Sequence, residues 1–226
     1  MTSKIKPPLH LHLISLFPQL LAPYLGESIV ARAIKTGKIA VSLHDLREYG
    51  GDRYRVDDKP YGGGPGMVLR AEPVIKAALS AVKLSKTKKD KPRIIILSPG
   101  GKEFNNKLAD KWAREGRPLV LIAGRYEGID ARAKKVLKAE EISTGPYTLT
   151  GGELPALTIL DAVTRRLPGV LGDDSSIEEK RVSSHDVYTR PEVITVAKRN
   201  YRVPKILLSG HHAKIDNWKL DKKAQK

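Results

Sequence analysis

Two short apolar runs place the strongest limit on the fold of this 226-residue chain. Residues 94–97 and 119–123 consist only of Ile, Leu, Val and Ala. Strands of this kind are buried on both faces, as in parallel sheets covered by helices. Residues 105–114, which lie between the two runs, have the periodicity of a helix. The pattern therefore predicts an α/β protein with a mostly parallel sheet flanked by helices.

Further strands and helices are indicated before and after these runs. Residues 9–17 and 39–43 predict strands, and Pro18 opens a helical pattern that ends at Gly37. Helices are also predicted over residues 74–82, 130–137 and 153–166. His10 and His12 alternate with leucines, so we expect them on the solvent face of an edge strand rather than at a metal site.

Three glycine-rich segments punctuate these elements. Residues 60–67 contain four glycines and two prolines, and shorter turns occupy residues 124–128 and 150–153. Because ligands of open α/β sheets bind beyond the carboxyl ends of the strands, residues 98–101 and 124–128 predict a binding site at that edge. The first segment has Met67 and Val68 where a phosphate-binding loop has Lys and a hydroxyl, which argues against nucleoside triphosphate hydrolysis.

The charge balance favours a polyanionic partner. Lys and Arg number 41 against 25 Asp and Glu, a net charge of +16, and nucleic acid is the expected partner of such a surface. The chain has no cysteine, so thiol nucleophiles and thiolate metal sites are excluded. The sequence shows neither a signal peptide nor an apolar stretch of spanning length, so we expect a cytoplasmic protein without a membrane partner.

Several motifs, taken in order, resemble one family over nearly the whole chain. They are Ile14-Ser15-Leu16-Phe17-Pro18, residues 57–67, Leu97-Ser98-Pro99, residues 124–130, Gly151-Gly152-Glu153-Leu154-Pro155-Ala156, residues 167–172, Tyr188-Thr189-Arg190-Pro191-Glu192 and Leu207-Leu208-Ser209-Gly210. This series is similar to the bacterial tRNA (guanine-N1)-methyltransferases. The resemblance implies transfer of a methyl group from S-adenosyl-L-methionine to N1 of guanosine 37, which follows the tRNA anticodon, giving 1-methylguanosine.

The same resemblance implies an architecture that the residues alone do not predict. It is an α/β methyltransferase of the SPOUT class with a deep trefoil knot, acting as a homodimer. We expect a knotted catalytic domain over residues 1–168 and a flexible linker over residues 169–190. A shortened, basic and helical tRNA-binding segment is expected over residues 191–226. The lysines of residues 83–91 are further candidates for tRNA contact.

The resemblance also assigns the binding residues. The methyl donor is expected to lie in three loops, at Leu97, Ser98, Pro99, Gly124, Tyr126, Glu127, Gly128, Thr144, Gly145, Pro146, Tyr147, Thr148, Leu149, Gly151 and Gly152. The glycine-rich segment of residues 60–67 and the preceding Asp57 are expected to line the site near the target guanine, through Asp57, Tyr61, Gly66 and Met67.

Methyl transfer to a ring nitrogen that carries a proton calls for a general base and for a cation beside the neighbouring carbonyl oxygen. Arg165 matches the catalytic arginine of the family. The family's basic aspartate has no direct counterpart, because ungapped alignment places Lys180 there. Glu179 is the preferred base, and weaker alternatives are Glu178, Asp174 and Asp186. Magnesium is linked to the reaction in the family, but no motif here predicts a protein-built metal site.

Two alternatives stay open from the sequence. The donor site is more widely shared among knotted methyltransferases than the site that recognises the base, so a different RNA nucleoside could be the target. A non-catalytic RNA-binding protein is the other, because Lys180 stands at the position of the base and the C-terminal segment is short.

Overall fold

A computed structural model describes residues 8–51, 55–85, 91–172 and 186–224. The chain divides into two compact units, Met1–Leu171 and Gly172–Lys226. No helix among the described residues is long and apolar enough to cross a membrane.

The first unit is built on a five-stranded parallel sheet. Its strands are β1 (Leu9–Ser15), β2 (Ile39–Asp45), β5 (Arg93–Glu103), β6 (Leu119–Ala123) and β7 (Glu140–Ser143). The order across the sheet is β2-β1-β6-β5-β7, and each neighbouring pair is parallel. The later strand β6 therefore lies between β1 and β5. The two remaining strands, β3 (Asp57–Asp58) and β4 (Val68–Leu69), form an antiparallel hairpin apart from this sheet.

Helices cover both faces of the sheet. The helices of this unit are α1 (Ala22–Leu25), α2 (Ser28–Lys35), α3 (Ala71–Leu84), α4 (Asn106–Glu115), α5 (Ala131–Leu137) and α6 (Glu153–Thr164). One core packs α2, α4 and α6 against Leu11, Leu13 and Leu121, while the other packs α3 and α5 against Ile14 and Ile122. Because successive side chains of a strand point to opposite faces, apolar runs such as that of β6 supply both cores. The predicted parallel sheet flanked by helices is confirmed.

Two predicted elements differ most from the structure. The helix expected from Pro18 to Gly37 is broken into a 3-10 turn (Pro18–Leu20), α1 and α2, because α1 ends at Gly26 and Ser28 has a φ of +55°. The strand expected to end at Leu97 continues to Glu103, and an irregularity between Leu97 and Lys102 shifts its register against β7. The strands β3, β4 and β7 were missed, since two to four residues carry too little periodicity.

The expectation for the two N-terminal histidines was also wrong. Strand β1 lies inside the sheet between β2 and β6, and His12 is fully buried. Its Nδ1 lies 3.0 Å from His44 Nε2, and its Nε2 lies 3.0 Å from Ser85 Oγ. His10 pairs with Ser42 Oγ at 2.9 Å. Polar side chains of the protein therefore provide hydrogen-bond partners for these rings.

The second unit is small and mixed. Besides the expected helical part, α7 (Lys205–Leu208) and α8 (His212–Ala224), it contains the antiparallel hairpin β8 (Val193–Val196) and β9 (Arg199–Arg202). Lys198, Arg199 and Arg202 of this hairpin are exposed. Residues 173–185, most of the predicted linker, lie outside the described part of the chain.

Candidate active site

An open pocket of about 510 Å³ lies where β5, β6 and β7 give way to loops. Its walls come from residues 96–99, 124–129, 141–144 and 147–152, with Ala131, Lys134 and Pro155. The volume is within the usual range for small-molecule sites. The glycine turn after β6 thus meets Leu97, Ser98 and Pro99 of β5 at the edge of the sheet where ligands of α/β folds bind. The turn predicted at residues 98–101 was wrong, because these residues continue strand β5.

Two adjacent glycines allow the loop before α6 to lie directly on the end of β6. A Cβ on Gly152 would come within 2.7 Å of the Ala123 Cα, and one on Gly151 would come within 2.3 Å of Arg125 Nε. The Gly152 N–H donates to the Gly124 carbonyl at 2.9 Å. Residues 150–152 and 124–125 therefore form one continuous wall of the pocket.

The hairpin that carries the glycine-rich segment contacts this pocket from outside. The Glu127 N–H donates to the Met67 carbonyl at 3.0 Å, and the Leu69 N–H donates to the Gly128 carbonyl at 2.9 Å. Gly66 has a φ of +83°, and a Cβ there would lie 2.8 Å from Glu127 Oε1. The glycine-rich segment and the pocket turn are thus parts of one hydrogen-bonded assembly.

Tyr126 links the same two segments by its side chain. Its hydroxyl is hydrogen-bonded to Asp57, and partial burial together with this bond raises the pKa of the phenol. The Tyr126 backbone has a φ of +59°, which is uncommon for a residue other than glycine. Surrounding contacts must therefore hold the turn, as is frequent at functional sites.

The structure brings together nearly all the residues expected at the donor site. All except Gly145 and Pro146 line the pocket. Of the residues expected near the guanine, Asp57, Gly66 and Met67 contact the turn at residues 126–127. Tyr61 is fully exposed on the glycine-rich segment. Their roles in binding stay predictions.

The sequence interpretation missed three charged residues of the pocket, Arg125, Lys134 and Glu141, and the adjoining Glu153. Arg125 and Glu153 form an ion pair of 2.9 Å, with side chains 18% and 5% exposed. Lys134 pairs with Glu141 at another wall. Arg125 lies within a glycine turn that the sequence analysis had recognised. Its charge could therefore have identified it as a site residue. Lys134 and Glu141 reach the pocket from α5 and β7, and only the fold places them there.

Of the proposed catalytic pair, Arg165 and Glu179, only Arg165 lies among the described residues. Arg165 is the C-terminal cap of α6 and is half-buried; it does not line the pocket. Glu179, with Asp174, Glu178 and Lys180, falls outside the described residues, whereas Asp186 is described and exposed. The neighbouring Arg166 has a different place, because its Nε lies 2.9 Å from Asp110 Oδ1 on α4. Within the described ranges, no group of three or more His, Asp or Glu side chains could hold a metal ion.

The first unit has a ligand-sized pocket at the carboxyl ends of its parallel strands. This arrangement is typical of the class of α/β enzymes that bind small molecules. Comparison with known proteins gives the family. The family model described as tRNA (Guanine-1)-methyltransferase TrmD matches residues 9–226. This chain belongs to that family.

Relatives of similar length support this assignment. A tRNA (guanine-N(1)-)-methyltransferase of Lachnospira eligens is 42% identical, over 95% of this chain and 90% of the relative. A protein of the same name from Listeria monocytogenes is 44% identical, over 95% of this chain and 86% of its own length. Another, from Moorella thermoacetica, is 43% identical over 91% and 82% of the two chains.

Proposed function

We propose that this protein transfers a methyl group from S-adenosyl-L-methionine to N1 of guanosine 37 in tRNA, giving 1-methylguanosine. The observation that carries the proposal is the pocket that residues 96–99, 124–129, 141–144 and 147–152 form together in a chain of this family. The net charge of +16 suits a tRNA substrate. A tRNA substrate is also consistent with a reaction in the cytoplasm.

The pocket residues fit the chemistry of the donor. Ile96, Leu97, Ile142 and Leu149 offer apolar surface for the adenine ring, while the Glu127 carboxylate suits a cationic group. Where a Cβ would fill the space between the pocket loops, the chain has Gly151 and Gly152. The bound donor supplies an activated methyl group on a sulfonium, so the protein needs no nucleophile of its own. Its task is to position the two reactants in line.

Two side chains are proposed to assist the acceptor guanine. A base must remove the N1 proton, and Glu179 is the preferred candidate, with Glu178, Asp174 and Asp186 as alternatives. Arg165 would stabilise the negative charge that develops on the O6 carbonyl oxygen. Both Glu179→Ala and Arg165→Ala should then lower kcat strongly while donor binding is retained. Undiminished turnover by Glu179→Ala would exclude it as the base.

The position of Arg165 supports a homodimer. Helix α6 begins at the pocket with Glu153 and contains 12 residues, which places Arg165 about 18 Å away along the axis. That span exceeds the reach of an arginine side chain. If Arg165 acts at a donor pocket, we therefore infer that it serves the pocket of a second copy.

A second concave surface supports the same assembly. It is an open, largely apolar depression lined by Tyr24, Thr144, Tyr147, Leu149, Leu154, Leu157 and Thr158. Tyr24 is 44% exposed, Tyr147 54% and Leu154 63%. Clustered apolar side chains of this size mark interaction surfaces, and this one adjoins the donor pocket through Thr144, Tyr147 and Leu149.

Complementation between inactive variants tests the shared site. Arg165→Ala and the pocket variant Gly151→Val should each be inactive when expressed alone. The two variants are then coexpressed with different tags. A heterodimer would pair one intact pocket with one intact Arg165, so the mixture should recover about a quarter of wild-type activity at random assortment. An inactive mixture, with heterodimers shown by tandem purification, would place each site within one chain.

The knot expected for the family is proposed here as well. After β7, at one edge of the sheet, the chain returns to touch the end of β6 at Gly152 and continues into α6. α6 then packs in the core shared with α4 and β1. On this path the chain passes the loop that follows β5, which is compatible with the crossing of a trefoil knot. Tracing the chain in a donor-bound crystal structure would test it.

The primary test is direct identification of the product. The protein should methylate a tRNA transcript with G37, and nucleoside mass spectrometry should identify 1-methylguanosine. The matched transcript with A37 should accept no methyl group. Methylation of another nucleoside only would contradict the proposed substrate, and donor binding without turnover would favour a binding protein. Addition of EDTA to the same assay measures whether magnesium is required.

A further inference from the structure

Glu153 is the most enclosed carboxylate of the pocket region, and its side chain contacts two separate segments. Its Oε1 accepts a hydrogen bond from Ser15 Oγ at 2.6 Å and another from Arg125 Nε at 3.1 Å. Its Oε2 lies 2.9 Å from Arg125 Nη2. The residue stands at the first position of α6 and is only 4% exposed, where the helix dipole also favours a negative charge.

The two partners of Glu153 are themselves fixed. Ser15 Oγ accepts the Phe17 N–H at 2.8 Å, which turns the chain at the end of β1. The Arg125 guanidinium lies 4.8 Å from the centre of the Phe17 ring, and its Nη1 donates to the Thr150 carbonyl at 3.2 Å. The nitrogens of Arg125 are thus directed at protein groups, and the ring covers the guanidinium.

We propose that Glu153 is a positioning residue that clamps residues 150–152 onto residues 124–125 through its ion pair with Arg125, and so sets the shape of the methyl-donor pocket. The backbone contacts that the clamp would hold are the Gly152–Gly124 hydrogen bond and the bridge between Arg125 and Gly151. In this arrangement Arg125 supports the wall and is not the cation that contacts the donor carboxylate or the guanine.

The clamp accounts for two features of the sequence that donor contact alone does not require. Gly151 has no room for a side chain because Arg125 Nε and Glu153 Oε2 would lie 2.3 and 2.5 Å from its Cβ. The buried Ser15 hydroxyl gives the carboxylate a neutral donor from the opposite side. A carboxylate with three such bonds is held in one orientation, which a pocket built from loops needs for precise positioning.

The inference rests on the proposed use of S-adenosyl-L-methionine, so calorimetry with that donor is the first test. Glu153→Gln keeps the size of the side chain but removes the charge that holds Arg125. Ser15→Ala removes the hydrogen bond to Glu153, together with the one that Ser15 Oγ accepts from the Phe17 N–H, without changing charge. We expect the donor Kd to rise about tenfold or more for Glu153→Gln and less for Ser15→Ala, with the donor KM following and the tRNA KM unchanged.

Asp110→Asn is the matched control. Asp110 forms an ion pair with Arg166, whose side chain is 3% exposed, and joins α4 to the far end of α6 without touching the pocket. The donor Kd of this variant should stay within about twofold of wild type. Equal losses in Glu153→Gln and Asp110→Asn would show general destabilisation and overturn the proposal. Tighter donor binding by Glu153→Gln would also overturn it, because a released Arg125 would then be a donor ligand.

A readout without donor separates this inference from the proposed function. Hydrogen exchange of the Gly152 amide, which donates to the Gly124 carbonyl, should be faster in Glu153→Gln than in wild type and unchanged in Asp110→Asn. If wild type fails to bind S-adenosyl-L-methionine, the proposed function fails and exchange alone decides on the clamp. If wild type binds the donor and Glu153→Gln matches it in affinity and exchange, only the clamp fails.

Discussion

Gly66 is the residue where the glycine-rich segment presses most closely on the pocket turn. Gly66→Ala would place a methyl group 2.8 Å from Glu127 Oε1 and would impose strain at a φ of +83°. We expect kcat/KM for tRNA methylation to fall about tenfold or more, and a tenfold loss is equivalent to about 1.4 kcal/mol. The free energy of unfolding should change by less than this.

Gly62→Ala is its control in the same segment. Gly62 has a similar φ of +87°, but nothing lies within 4 Å of its Cβ position. The two variants therefore share the backbone strain and differ in the contact with Glu127. If steady-state kinetics gave both variants the same loss, strain would be the cause and the contact with Glu127 would not matter.

His12 is the residue that should govern acid sensitivity. Burial, together with the neighbouring His10 and His44, lowers its pKa to about 3. The unfolded chain binds a proton at the ordinary histidine pKa of 6.5, whereas the folded protein keeps His12 neutral. The stability that this neutral ring contributes is therefore present above pH 6.5 and is lost as the pH falls from there toward 3.

Urea unfolding at several pH values measures this effect. Wild type should lose more free energy of unfolding between about pH 7.5 and pH 5 than His12→Gln does. His10 and His44, whose pKa values are lowered mainly by burial, are present in both proteins. Their contributions to the difference in free energy of unfolding therefore cancel to first order. Parallel losses in the two proteins would show that His12 does not titrate on unfolding.

At the scale of elements, the helix α4 shows what local sequence can predict. Asn105 caps the helix because its side chain accepts the Leu108 N–H at 3.0 Å, and Gly116 ends it in the left-handed conformation. Both residues are recognisable signals, and the predicted span of residues 105–114 agrees with Asn106–Glu115. The helix from Pro18 was mispredicted because Gly26 breaks a pattern whose apolar spacing continues beyond it.

The cap gives an element-scale prediction that leaves the pocket intact. Asn105→Ala should lower the free energy of unfolding by about 1 kcal/mol, the usual cost of a lost helix cap. Lys107→Ala, on the exposed surface of the same helix, should change it little. Thermal unfolding measures both variants, and donor affinity should be equal in all three proteins. A changed donor affinity in Asn105→Ala would show that α4 shapes the pocket.

At the scale of the whole molecule, the two compact units suggest separate roles in donor binding and tRNA binding. The pocket proposed for the methyl donor lies entirely within Met1–Leu171, while the exposed Lys198, Arg199 and Arg202 belong to Gly172–Lys226. A chain truncated after Leu171 should therefore bind S-adenosyl-L-methionine with near wild-type affinity but bind tRNA more weakly. Calorimetry and filter binding measure the two affinities.

Salt dependence is the internal control for that truncation. Loss of phosphate contacts should reduce the slope of log Kd for tRNA against log salt concentration. An unchanged slope and affinity would assign tRNA binding to the first unit, where the lysines expected to contribute lie in residues 83–91. A truncated protein that lost donor binding while staying folded would show that the second unit supports the pocket.

The amino-acid sequence by itself determined the layered α/β plan and the glycine turns, because apolar runs, caps and glycines act through local geometry. It also contained enough ordered motifs to indicate the family. Only the tertiary structure decided that His12 is buried in a central strand and that Lys134 and Glu141 reach the pocket. It alone joined Ser15, Arg125 and Glu153. These contacts depend on strand order and on how the loops meet, which no local pattern encodes; Ser15 and Glu153, for example, are 138 residues apart in the chain.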